Sequence, residues 1–171
     1  LLRELNYKFI GYQNYEPVQE QMREVFTKAF QKVNTYFNIA VDEAVVNAAK
    51  YDVRGMAEAE VHTQIRISEN DITVRISSKP QPFNAKNYQM QLRELANDPE
   101  MGNLDWGDYT GTTDRSRGFW YMLQAVEYLV VAEDGSYVSL SASIPYREKR
   151  MDTSISFLVP KFNVDSGGVL G

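Results

Sequence analysis

A chain of 171 residues that is 43% apolar and carries a net charge of −5 has the size and composition of one folded domain with a real core, and its acidity argues against nucleic-acid binding and against anionic membranes. The absence of cysteine removes thiol nucleophiles, disulfides and thiolate metal sites, and a single histidine, His62, leaves little for Ser–His–Asp hydrolysis or a zinc centre. No apolar run is long enough to cross a bilayer as a helix and no charged-then-apolar leader opens the sequence, so a cytoplasmic protein with a protein or small-molecule partner is expected.

Residues 7–12 read as a first strand, with Tyr7, Phe9 and Gly11 on one side. Tyr15-Glu16-Pro17 starts a helix, since proline is tolerated in a first turn. Val18, Met22, Val25, Phe26, Ala29, Phe30, Val33 and Phe37 then recur at helical spacing. Asn38 is placed to cap a second helix, which Asp52-Val53-Arg54-Gly55 ends. Residues 60–68 and 72–77 alternate as two strands around the turn Glu69-Asn70-Asp71, with His62 on the solvent side or at a sheet edge.

Periodicity is lost over residues 79–115, apart from a short helical pattern at 88–95. The segment holds Pro80, Pro82, Pro99, Gly102, Gly107 and Gly111, and reads as a lid or binding loop. From Ser116 onward, Phe119, Met122, Leu123, Val126 and Leu129 mark a third amphipathic helix. Residues 129–132 and 137–144 read as a hairpin, 153–159 as a further strand, and 161–171 as a flexible tail after a single domain spanning residues 1–160. The order implies an α/β fold: a two-layer sandwich whose mixed, mainly antiparallel sheet carries its helices on one face.

Two constellations carry chemistry. On a helix Glu43 and Asn47 lie one turn apart with Lys50 beside them, on an otherwise Ala- and Val-rich surface. An amide oxygen can ligate Mg²⁺, a carboxylate can activate a hydroxyl, and an ammonium can meet phosphate. The same three residues also suit the wet side of an amphipathic helix. Ser116-Arg117-Gly118 stands before the third helix, where unpaired N–H groups favour an anion; an ordinary serine cap is the plainer reading.

The two constellations together resemble one family. Glu43-Ala44-Val45-Val46-Asn47-Ala48-Ala49-Lys50 looks like the first box of the small anti-sigma-factor serine kinases, members of the ATPase superfamily of gyrase, histidine kinases and mismatch-repair ATPases. Ser116-Arg117-Gly118-Phe119-Trp120-Tyr121-Met122-Leu123 looks like its Gly-x-Gly-Leu box and following helix. The order of elements agrees from about Tyr7 to Ile144. The resemblance implies a histidine-kinase-like (Bergerat-type) ATPase fold with ATP and Mg²⁺. Asn47 would hold the metal and Glu43 would be the base. Lys50 would meet phosphate, Tyr51 would lie against adenine, and Ser116, Arg117 and Gly118 would line the phosphates.

The family's middle box, Asp-x-Gly-x-x-Phe, is altered: with Phe83 aligned, Ser78 stands at the adenine-binding Asp and Pro80 at the Gly. A hydroxyl is the weaker acceptor, and proline cannot take a left-handed turn. Ser116 stands at the first Gly of the second box, and Asp98, Asp105, Asp108 and Asp114 precede it. These departures all fall at the nucleotide. The expected function is therefore an anti-sigma-type signalling regulator that binds a sigma factor or its antagonist domain in a partner switch, with ATP binding weakened or lost. Homodimerisation is common in the family. Trp106, Tyr109, Trp120 and Tyr121 are candidates for exposed interface aromatics, with core packing the alternative for Trp120 and Tyr121. The alternatives are an active ATP-dependent protein serine kinase and a fragment holding a histidine-kinase catalytic domain.

Overall fold

Alternating side chains give the sheet one apolar and one wet face, and the helices take the apolar one. A computed structural model describes residues 2–97, 114–147 and 159–167, with the backbone alone at Leu95, residues 114–118, Trp120 and Val159. In chain order the elements are β1 (Arg3–Ile10), α1 (Tyr15–Phe30), α2 (Thr35–Lys50), β2 (Glu60–Ile67), β3 (Asp71–Ser77), α3 (Ala85–Asn97), α4 (Asp114–Ala125), β4 (Tyr128–Ala132), β5 (Tyr137–Ser143) and β6 (Phe162–Asp165). Short 3-10 turns occupy Tyr12–Asn14 and Val159–Lys161. The six strands lie in the order β1-β2-β3-β5-β4-β6, antiparallel except for the parallel pair β4–β6. The fold is thus α/β with a six-stranded, mostly antiparallel open sheet, as the element order implies.

Register explains the two faces. Leu5, Tyr7 and Phe9 of β1 sit opposite Ile65, Thr63 and Val61 of β2, and Val61, Ile65, Ile72, Val74 and Ile76 are buried. The intervening residues face water: the His62 side chain is 56% exposed, and Arg75 lays its guanidinium 4.1 Å from the Tyr137 ring centroid. Helix α1 meets the apolar face through Met22, whose Sδ accepts from the Thr63 hydroxyl at 3.3 Å. Helix α2 packs on β2, β3, β5 and α4. Phe26, Phe30 and Phe37 interlock edge-to-face between α1 and α2.

Several boundaries differ from the sequence reading. Helix α1 stops at Phe30, where Gln31 turns left-handed (φ 60°), and Asn34 caps α2 by accepting the Phe37 N–H at 3.0 Å. Phe37 therefore belongs to α2, and Asn38, the expected cap, lies inside that helix. The apolar spacing runs in phase across the break, so periodicity cannot see it. Helix α3 is longer than the pattern at 88–95 suggests. Trp106, Tyr109 and the acidic residues Asp98, Asp105 and Asp108 lie outside the described residues, as do residues 153–158 of the expected last strand and the end of the tail from residue 168.

Part of the expected tail is structured. Phe162 is buried and β6 pairs with β4, because Leu129 and Phe162 complete the apolar face at that edge. Lys161 is buried beside it, and its Nζ donates to the carbonyls of Leu123 (3.1 Å) and Val126 (3.0 Å) at the end of α4, where a cation meets unpaired carbonyls. Among the described residues no helix is long and apolar enough to cross a membrane.

Candidate functional site

The second helix aims a polar side chain inward because its other positions on that side are small. Ala44 and Ala48 bring α2 close to α4 and the sheet, and Asn47 between them is only 8% exposed. Ala44, Asn47, Ala48 and Tyr51 line a cavity with Ile76 and Ser78 at the end of β3, Pro80 and Phe83 beyond it, Phe119 and Met122 of α4, and Val131, Gly135 and Val138 of the β4–β5 hairpin. Three of the sequence-selected residues, Asn47, Tyr51 and Ser78, are thus brought together.

The others fall elsewhere or outside view. Lys50 is exposed at the last turn of α2, with Nζ 5.7 Å from the Tyr51 ring centroid. Glu43 is half-buried and does not line the cavity; it lies toward Tyr12, whose phenol is pushed up by burial first and then by the Asp42 and Glu43 charges. Neighbouring Asp42 is clamped onto α1, accepting from the Tyr15 hydroxyl (2.8 Å), Gln19 Nε2 (3.0 Å) and Arg23 (2.6 Å). Ser116, Arg117 and Gly118 lie inside α4, which begins at Asp114, and not directly ahead of it. Their side chains are outside the described set. Tyr121 is 41% exposed.

The segment after β3 is fastened to the end of α2 by Asp52, which sequence reading took only as a helix terminator. Asp52 is fully buried. Its Oδ1 accepts from the Arg54 N–H (2.8 Å) and Nε (3.0 Å), and its Oδ2 from the other Arg54 fork nitrogen (2.9 Å) and the Lys79 N–H (3.2 Å). Burial alone would raise its pKa; the bonds from the Arg54 side chain, then from the backbone N–H groups of Arg54 and Lys79, outweigh burial and hold it below the ordinary value. The Gln81 N–H donates to the Tyr51 carbonyl at 2.8 Å, and Asp52 bridges to Pro80. A local signal existed: Asp-x-Arg is an Asx-turn pattern in which the carboxylate takes the N–H two residues on.

With residues 78–81 fixed this way, Phe83 enters the crevice. Its ring stacks on Tyr88 (5.2 Å between centroids, 21°) and tilts against Phe119 (6.1 Å). Gly135 lies directly under it: a Cβ there would sit 2.7 Å from Phe83 Cδ1, and its φ of +78° favours glycine independently. The space left inside is about 30 Å³, room for about one water molecule. A purine does not fit with Phe83 where it stands. The described lining is also mostly apolar, whereas Mg²⁺ wants about six oxygens, and among the described residues no group of three or more His, Cys, Asp or Glu side chains converges on a metal position. The Asn47 Nδ2 is buried without a hydrogen-bond partner among those residues. No protein-family model matches the chain, and no curated protein matches it in sequence.

Proposed function

We propose that this chain is an anti-sigma-type regulator built on the histidine-kinase-like ATPase fold, and that it works by binding a protein, a sigma factor or its antagonist domain, without ATP turnover. The reading rests on the two boxes at Glu43–Asn47–Lys50 and Ser116-Arg117-Gly118, and on the order of strands and helices. The single observation that favours a binding role over kinase chemistry is Phe83, which leaves about 30 Å³ where a base would lie. Exposed apolar residues just before and at the start of α2 supply contact surface: Val33, Tyr36 and Ile39 are 68%, 52% and 43% exposed.

Calorimetric titration of the protein with Mg-ATP tests the loss of nucleotide binding. The expected result is no saturable heat at millimolar nucleotide. A saturable, Mg²⁺-dependent signal that Asn47→Ala abolishes would instead restore the serine-kinase reading, with Asn47 on the metal and Glu43 as base. The partner role is tested with sigma factors and antagonist domains from the same genome. Asn47→Ala is expected to leave their affinity unchanged, and a large loss of binding by the folded variant would count against the proposal.

A further inference from the structure

Strand β1 closes one end of the sheet, and among the described residues no strand pairs with its outer side. Parity shows which of its backbone groups face outward. The Gly11 N–H donates to the Ala59 carbonyl at 2.8 Å, one step beyond the Ile10↔Glu60 pair, so the odd-numbered residues of β1 carry the bonds to β2. The N–H and C=O groups of Glu4, Asn6, Lys8 and Ile10 therefore point away from the sheet. The Asn14 side chain already uses one of them, donating to the Ile10 carbonyl at 2.7 Å. Glu4, Asn6 and Lys8 present the rest as an open ladder, and all three residues are exposed.

The side chains along this edge are complementary to themselves. On the wet face Leu2 and Ile10, 63% and 55% exposed, flank one carboxylate and one ammonium set evenly about Asn6. A second β1, antiparallel and related by a two-fold axis at Asn6, brings Glu4 against Lys8 twice and Leu2 against Ile10 twice, with Leu5 against Tyr7 on the apolar face. Sliding the copy by one ladder step keeps the backbone bonds but sets Glu4 opposite Ile10, or Leu2 opposite Lys8. Neighbours on β2 hold both charges in place: Gln64 Nε2 (2.9 Å) and Arg66 (3.5 Å) reach Glu4, and Glu60 reaches Lys8 at 2.6 Å. Charges on an edge strand ordinarily deter pairing. In this one register each meets its opposite, so they turn away other strands and other alignments.

We propose that β1 is a self-recognition edge: two copies of this chain join β1 to β1, antiparallel about Asn6, so that one sheet runs through both. The edge and its register come from the order of residues in this strand, and they hold whether or not the chain binds a sigma factor.

Sedimentation equilibrium of the parent, Glu4→Lys, Lys8→Glu and Asn6→Pro tests this. The parent is expected to dimerise reversibly at concentrations up to about 1 mM. Either charge reversal sets like charges opposite each other twice and should weaken the dimer at least about tenfold. Mixing the two reversed chains puts every lysine against a glutamate, so the mixture should associate about as tightly as the parent. Asn6→Pro removes an outward N–H and spares the bonds to β2; it should melt near the parent and lose at least about tenfold in association. A parent that stays monomeric overturns the proposal. A dimer that survives both reversals and the proline is formed through another surface and overturns the edge. Folded reversed chains that stay apart on mixing overturn the register. Should the variants unfold, a single thiol gives the answer, because the chain has no cysteine. With oxidised glutathione, Asn6→Cys is expected to link to itself at least about tenfold faster than His62→Cys, whose copies lie too far from the axis to bridge; equal rates overturn the register.

Discussion

A carboxylate with no exposed surface, Asp52, gathers four hydrogen bonds from Arg54 and from the backbone of Lys79, 27 residues along the chain. Removing it leaves buried N–H groups unanswered, so Asp52→Ala is expected to cost about 1–3 kcal/mol in chemical denaturation at neutral pH. The pH dependence follows from its lowered pKa. The stabilising contribution is fully present above the unfolded-state value of about 4 and is lost as pH falls through the lower folded-state value. Denaturation from neutral pH to about pH 2 should therefore show the gap between the parent and Asp52→Asn shrinking below about pH 4; a gap that stays constant would mean the carboxylate's charge contributes nothing. Sequence reading found Asn47 because Glu43 stands one turn before it and Lys50 beside it on an Ala- and Val-rich helix; that it is buried rather than on the wet side emerges only in the fold. It missed the grip of Asp52 because Lys79 is remote in sequence and the bond is to backbone, which has no sequence signature. It also could not see Phe83 enter the crevice, which depends on Asp52 fixing residues 78–81.

At the level of elements, apolar spacing marks the buried faces of α1, α2, α4 and the strands, but it runs on past the end of α4 at Ala125: Val126 follows the helix and Leu129 belongs to β4. Where one helix ends in phase with the next, spacing is silent. The α1–α2 junction is placed four residues too late for that reason, since Gln31 takes the left-handed position usually given to glycine and Asn34, not Asn38, accepts the Phe37 N–H. Asn34→Ala is expected to lower stability by about 1 kcal/mol, while Asn34→Asp or Asn34→Ser should retain most of it. Thermal melts of the three variants check this, and equal loss in all three would rule out capping. Strand β6 escaped notice for a different reason. It is four residues long, and what holds it is remote: pairing with β4, burial of Phe162, and the Lys161 ammonium at the end of α4.

Across the whole molecule, both layers change from earlier to later chain along the same line. In the sheet, β1, β2 and β3 lie on one side and β5, β4 and β6 on the other, joined by a full ladder from Asp71↔Ser143 to Ser77↔Tyr137. In the helical layer α2 meets α4 beside that ladder, and the cavity opens where the two junctions coincide. Helix α3 crosses over: it follows β3 in sequence, yet Gln89 donates to the Phe162 carbonyl at 3.0 Å. The ladder of β3 on β5, with α2 against α4 above it, is thus a seam between two half-proteins, each with a strand edge and a helix side that pack on the other. Fragment complementation follows. Residues 1–97 and 114–171, expressed as separate polypeptides and mixed, should co-elute and melt cooperatively, whereas Val74→Pro in the first fragment should abolish association by breaking the central rung.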